Sequence, residues 1–203
     1  MDSTVTCVYR TSWKRINKDA LSILEEYNPD ALFKGAPVDI ERIFDLDLPD
    51  IMQSEFGISL KTGVIDLSTF PNNGRLLGLT HAGLGVSYVD ESVFDTEDRV
   101  QLRRGRATMA HETFHCISHV PRLQTFISGT DLGTDVLPRA LRSELRPFED
   151  PELQAWKFAQ MIMMPEPVIK KFMREGKNER WMADYFDVNP AFLRVRLGCK
   201  TLR

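Results

Sequence analysis

The sequence predicts an α+β fold, a small and mostly antiparallel sheet packed with helices and followed by a helical C-terminal tail. Three observations predict it. Short apolar runs bounded by turn residues cluster between positions 63 and 89. Segments with a 3.6-residue apolar repeat lie on either side of them. The last stretch, 166–203, is helical in pattern and locally more basic than the rest. The 203 residues, 42% hydrophobic and 27% charged, are enough for a sizeable core. The division expected is a main domain over 1–165 and a small helical extension over 166–203.

Taking the elements in order, Ile16, Ala20, Leu21, Ile23 and Leu24 fall at helical spacing, and Asn28-Pro29 ends that run. Pro37-Val38-Asp39-Ile40-Glu41, followed by Ile43 and Phe44, predicts a second short helix with proline near its start. Residues 63–70 alternate loosely and close on Pro71-Asn72-Asn73-Gly74, a strong turn signal. Segments 75–80 and 84–89 read as a hairpin with His81-Ala82-Gly83 at its tip. A helix running from Ala107 is expected to stop before Pro121. Another is expected from Pro151, capped by Asp150, to about Met164.

A net charge of -3 gives no global reason to expect nucleic acid or a membrane surface as partner. Cys7, Cys116 and Cys199 are far apart and form no CxxC pair, which argues against a disulfide framework and a thiolate zinc site. The segment MDSTVTCVYRTSWKR lacks the apolar run of a signal peptide, and nothing approaches the ~18 apolar residues of a membrane span. The expectation is a soluble cytoplasmic protein with reduced thiols.

The chemistry concentrates in His111-Glu112-Thr113-Phe114-His115. Residues i and i+4 share a helix face, so His111 and His115 can present two imidazoles to one ion. Catalytic Zn²⁺ usually takes three protein ligands and keeps one position for water, whose pKa it lowers from ~15.7 to about 7. Glu112 sits where its carboxylate can face that water, take its proton during attack on a peptide carbonyl and pass it to the leaving amine. HExxH is short and also occurs on solvated helices. Here Ala107, Ala110, Phe114 and Ile117 place it on a helix with an apolar face.

Three of the four histidines, His111, His115 and His119, stand at successive i+4 positions. Three ligands along one straight helix fit a tetrahedral ion poorly, so His119 reads better as a residue that supports a ligand, closes the helix or lies at the surface. The extended motif HExxHxxGxxH is absent, because Ser118 and Pro121 stand where it needs glycine and histidine. The third ligand is sought on the later helix, where positions 152, 155, 159, 162 and 163 share one face. Ala155, Ala159, Ile162 and Met163 point that face at the core, and Glu152 heads it. An inward carboxylate is costly unless it is paired or bound to metal. The plain alternative is a first-turn glutamate favoured by the helix dipole, and Glu144 and Glu149 are rival ligands.

The run Ala107-Thr108-Met109-Ala110-His111-Glu112-Thr113-Phe114-His115 and the segment Glu152 through Pro165, with its FAxxxxMP pattern, resemble the ImmA/IrrE family of bacterial metallopeptidases. Pro37-Val38-Asp39-Ile40-Glu41, Val86-Ser87-Tyr88-Val89-Asp90 and the tail 182–197 are also similar, so the resemblance covers most of residues 12–200. Thr113, Phe114 and Cys116-Ile117-Ser118-His119 depart from its usual pattern. The resemblance implies a zincin-like, gluzincin-type fold with one zinc per chain held by His111, His115 and Glu152, and Glu112 as base. It further implies a cytoplasmic protease that cleaves a helix-turn-helix transcriptional repressor.

Further candidates are weaker in kind. Tyr88, His81, His119 and Arg104 are possible donors to a developing oxyanion. The strand bearing Leu84, Val86 and Tyr88 is the natural sheet edge for an extended substrate, or an ordinary core strand. Cys116 reads as a buried structural cysteine. Lys170, Lys171, Arg174, Arg194, Arg196, Lys200 and Arg203 could meet phosphates, but a helical lid packed through Trp181, Tyr185, Phe186 and Phe192 is the simpler reading. The rivals to a metallopeptidase are a metal-containing module that sequesters a regulator without turnover, and a DNA-binding regulator using the tail.

Overall fold

The computed structural model describes residues 4–6, 10–70, 76–129, 139–141 and 145–198. In chain order these form β1 (Thr4–Thr6), α1 (Trp13–Tyr27), α2 (Pro29–Phe33), α3 (Ile40–Arg42), a π turn (Ile43–Asp47) and α4 (Leu48–Phe56). Strands β2 (Lys61–Ile65), β3 (Gly78–His81) and β4 (Val86–Asp90) follow, then α5 (Arg99–Phe114), a second π turn (His115–His119) and α6 (Val120–Gly129). Strand β5 (Arg139–Leu141), α7 (Pro151–Met163), α8 (Glu166–Arg174), α9 (Glu179–Tyr185) and α10 (Pro190–Arg196) complete an α+β fold. Among the described residues no helix is long and apolar enough to cross a membrane.

Local chemistry accounts for most helix starts. Ser12 caps α1 by accepting from Arg15 N, and the helix buries Ile16, Ala20, Ile23 and Leu24. Pro29 then opens α2, where its missing N–H is not needed. Asp39 accepts from Arg42 N at the start of α3, so Pro37 lies before the cap. Asp98 caps α5 through Val100 N, which starts the motif helix at Arg99 and not at Ala107. Asp150 accepts from both Glu152 N and Leu153 N at the head of α7, as its spacing predicts.

Pro121 does not end the motif helix. The chain passes through the π turn at His115–His119, whose wider ring is closed by Val120 N–H bonding to His115 O, and continues as α6. A proline ring clashes with the carbonyl four residues back in a regular α-helix, and the widened turn upstream relieves that clash.

The hairpin pairs Gly78 with Val89, Leu79 with Tyr88, Thr80 with Ser87 and His81 with Val86. On the other side of β4, β2 runs parallel to it, pairing Lys61 with Val86 through Ile65 with Asp90. The three-stranded sheet is therefore mixed, in the order β2-β4-β3, where a mostly antiparallel one was expected. Alternating burial reports which face a strand hides, and it is silent on the direction of a partner that returns through a crossover. Strands β1 and β5 form a separate antiparallel pair that the apolar pattern did not announce. The turn signal at Pro71-Asn72-Asn73-Gly74 and the start of the expected hairpin at Arg75 lie outside the described residues.

The core joins α1, α5 and α7. Met109, Ala110 and Phe114 meet Ala155, Phe158, Ala159 and Ile162, all buried. Alanines on both helices permit close approach, and the rings of Phe114 and Phe158 pack with centroids 5.1 Å apart. Burial of each such large side chain stabilises the fold by about 1.5–3 kcal/mol. The other end of α5 also lies close to its neighbours. A Cβ at Gly105 would fall 2.7 Å from Phe94 Cζ and 2.8 Å from Val93 Cγ2, so any side chain there would force these neighbours to move.

Two buried arginines of α5 tie it to the tail. Arg103 donates to Asp184 at 2.8 Å and to Asp187 at 2.9 Å. Arg106 donates to Asp187 at 3.0 Å and to the Val38 carbonyl at 2.6 Å, and pairs with Glu41 at 2.8 Å. The tail itself packs through aromatic rings: Trp181 stacks on Tyr185 at 4.9 Å, and Phe172 meets both edge-on. Several of its exposed charges have acidic partners, Lys170 with Glu166 and Arg194 with Glu179. Lys200 and Arg203 lie outside the described residues.

Candidate metal centre

Helix α5 delivers His111 from its last turn, and His115 follows at the first position of the π turn. Helix α7 delivers Glu152 from its first turn, one residue after Pro151 and two after the cap. The three side chains meet. His111 Nε2 lies 2.9 Å from His115 Nε2 and 3.2 Å from Glu152 Oε2, and His115 Nε2 lies 3.3 Å from Glu152 Oε1. This group can hold a metal ion. Its electrostatics agree with the contact. Burial pushes the Glu152 carboxyl up, but the nearness of the His111 and His115 rings outweighs it and leaves the pKa lowered. Burial opposes a charge on His115, and Glu152 and Glu112 overcome this and raise its pKa.

Glu112 is buried, and its Oε2 accepts a hydrogen bond of 2.6 Å from Thr80 Oγ1. Thr80 in turn lies 2.8 Å from Ser87 Oγ across the hairpin. Strand β3 is pressed onto the motif helix so closely that a Cβ at Gly78 would collide with the Glu112 carboxylate and lie 2.8 Å from Thr108 Cγ2. Cys116 is buried beside this group, and burial together with the Glu112 charge pushes its thiol up to about 12. It is an inert thiol there. Cys7 and Cys199 lie outside the described residues.

His119 is buried behind His115. Their Nδ1 atoms are 2.8 Å apart, and His119 Nε2 is 3.1 Å from Gln154 Oε1. Burial, helped by the neighbouring His115 charge, lowers its pKa to about 3. On the open side, the Trp156 ring leans against His111 with centroids 4.4 Å apart and meets Phe192 of α10 edge-on at 6.1 Å. Trp156 is 38% exposed and forms the visible wall of the centre.

The other expected residues are placed elsewhere. His81 is exposed, and its Nδ1 accepts from Leu84 N within the hairpin tip. Ser87 and Thr80 face α5, so strand alternation turns Tyr88 and its partner Leu79 to the opposite face of the sheet, away from Glu112. Arg104 is exposed and about 10 Å back along the helix from His111. Leu84 belongs to the turn and not to a strand. Strand β4, with Val86 and Tyr88, is paired on both sides and offers no free edge, so it is not the substrate edge the sequence suggested. Glu149 pairs with Arg10 at 2.6 Å, apart from the centre. Glu144 lies outside the described residues.

Thr80, Gly78, Gln154 and Trp156 were not anticipated. A glycine inside a strand pattern is a signal of close approach, and Trp156 stands four residues after Glu152, one turn further along the same helix. Gln154 carries a fainter signal, one of two polar residues, with Gln160, on the buried side of α7.

No family model matches the sequence, and no curated protein sequence matches it. Among solved structures, a chain described as a Mycobacterium tuberculosis transcriptional regulator has a similar fold, with a TM-score of 0.50 and 17% sequence identity over 93% of this chain. This chain matches 47% of that one, so it spans less than half of its length.

Proposed function

We propose that the protein is a zinc-dependent endopeptidase of zincin-like architecture acting on a protein substrate. The observation that carries this reading is the convergence of His111, His115 and Glu152 next to a separately held Glu112. Ligand atoms 2.0–2.1 Å from a tetrahedral zinc ion stand roughly 3.3 Å apart, and the three separations here are 2.9, 3.2 and 3.3 Å. Two imidazoles and one carboxylate are also the donor set of known zinc peptidases. Bound zinc supplies Lewis acidity, which brings the pKa of water near neutrality and polarises a carbonyl.

The chain's own residues supply the rest. Thr80 Oγ1 occupies one Glu112 oxygen, so the carboxylate is oriented before substrate arrives. Glu112 takes the proton of the water that attacks a peptide carbonyl and returns it to the leaving nitrogen. An extended substrate can add along β3, the outer strand beside the motif helix. Trp156 excludes water from one flank of the centre. The resemblance to ImmA/IrrE peptidases supports a helix-turn-helix repressor as the substrate and cytoplasmic action.

The test begins with metal analysis of the full chain by mass spectrometry. About one zinc per chain, lost in His115→Ala and in Glu152→Ala, is the expected result. Cleavage of candidate repressors should then stop in Glu112→Gln while its zinc stays. Well-folded protein that takes up no zinc when it is supplied rules the peptidase out.

A second reading, a regulator that binds DNA through its tail, takes its support from the structural neighbour, which is itself named a transcriptional regulator. It requires a steeply salt-dependent DNA affinity that survives metal removal. The internal pairing of the Lys170 and Arg194 charges weighs against it.

A further inference from the structure

The buried groups behind His115 determine where its proton sits. The Gln154 side chain is fully buried, and its Nε2 donates to the Phe148 carbonyl at 2.8 Å. A carbonyl only accepts, so the amide nitrogen must face Phe148 and Oε1 must face His119. Oε1 is an acceptor 3.1 Å from His119 Nε2, which therefore carries a hydrogen. A neutral imidazole protonated at Nε2 has a bare Nδ1. That bare nitrogen is 2.8 Å from His115 Nδ1, so the single proton between the two rings belongs to His115. In its neutral form His115 therefore keeps the Nε2 lone pair, on the side of His111 and Glu152.

We infer that His119 and Gln154 are positioning residues that lock His115 into the Nδ1–H tautomer, so that its Nε2 is ready for a metal ion before the ion arrives. This deepens the metal-centre reading proposed above and rests on it. His111 has no such support, because its Nδ1 is buried without a hydrogen-bond partner among the described residues. Its Nε2 faces the Glu152 carboxylate at 3.2 Å, and nothing behind the ring among the described residues fixes its tautomer. A buried glutamine linking a backbone carbonyl to the rear histidine sets the difference.

Nitrogen-15 NMR of the metal-free full chain reads the ring tautomers directly. The expected result is a proton on His115 Nδ1 and a bare His115 Nε2; the opposite tautomer overturns the inference. Zn²⁺ affinity, measured by competition with a chelator, is expected to fall about 10–100-fold in His119→Leu and in Gln154→Leu. His119→Asn, whose side-chain oxygen can accept from His115 Nδ1, should recover most of that loss. A packing role alone predicts the reverse order, since leucine fills the site better than asparagine. Leucine variants that bind Zn²⁺ as wild type, or an asparagine variant no better than leucine, overturn the inference. Wild-type protein with His115 protonated at Nδ1 but no Zn²⁺ binding would refute the metal centre while leaving the tautomer lock in place.

Discussion

Replacing Gly78 with alanine tests how tightly β3 is seated on the motif helix. The added methyl would overlap Glu112 Oε1 and lie 2.8 Å from both Glu112 Cδ and Thr108 Cγ2, against 3.4–4 Å for ordinary contact. Glu112 is buried, and its other oxygen is bonded to Thr80 Oγ1 at 2.6 Å, so it cannot swing aside freely. Either the strand retreats, an overpacking cost of about 1–3 kcal/mol, or the carboxylate turns and loses a charge-assisted hydrogen bond worth about 1.5–3 kcal/mol. Only the cheaper route is taken, so Gly78→Ala is expected to destabilise the fold by ~1–3 kcal/mol, at about 2–4 °C of Tm per kcal/mol for this size. Urea and thermal unfolding of metal-free Gly78→Ala, Glu112→Ala and the double variant provide the assay. With the carboxylate removed, only the Thr108 methyl remains in the way. The double variant should therefore be more stable than the sum of the singles by about 1 kcal/mol. Additivity within about 0.5 kcal/mol would refute the close seating of Glu112 against Gly78.

Three further outcomes are expected. Supplying Zn²⁺ at ~100 times its Kd stabilises the fold by about 2.7 kcal/mol, or roughly 5–10 °C in Tm; the shift should vanish in His115→Ala, and an unchanged Tm in wild type would contradict the centre. Burial favours the neutral form of Asp187, but the hydrogen bond from Arg103 and the charges of Arg106, Arg103 and Arg99 hold its pKa below the ordinary 3.8. A depressed carboxylate stabilises the fold above the unfolded value and loses that contribution as pH falls through the folded one. Asp187→Asn should accordingly cost about 1 kcal/mol at pH 7, after allowance for solvent screening, and progressively less below 3.8 in urea melts; a gap that does not shrink would count against the ion-pair account. Finally, Co²⁺ should quench the fluorescence of Trp156, whose ring is 4.4 Å from that of His111. Trp156→Phe should remove most of the signal, leaving Trp13 and Trp181 little affected.

The sequence spoke clearly where a local rule decides the outcome. His111 and His115 meet because four residues make one helical turn, and Glu152 joins them because its stripe continues through Ala155 and Ala159, which hold α7 against α5. Asp150 caps α7 for the same local reason. The misreadings lie where distant segments decide. Nothing in residues 84–89 says that β2 will add in parallel on the far side of β4, and that pairing removes the supposed free edge. Pro121 looks like a stop because the proline rule assumes a regular helix upstream, and the π turn breaks that assumption. Thr80 and Gln154 are ordinary polar residues in the sequence. Only the fold brings one to Glu112 and the other to His119.

The π turn at His115–His119 has a consequence for how this helix could change over generations. Its ring encloses one more residue than an α-helical turn, so the motif helix carries, in effect, a single surplus residue just after its second histidine. Loss of any one residue between 116 and 118 would let the helix close regularly. Everything after it would then rotate by about 100°. His111, Glu112, His115 and Glu152 would all survive such a deletion, and a motif scan would register no difference. The His115–His119–Gln154 chain would be broken, and α6, which reaches back to the hairpin tip through Gln124 and the Ala82 carbonyl, would be carried off its seat. For this fold, spacing after the motif is as much a part of the centre as the letters within it.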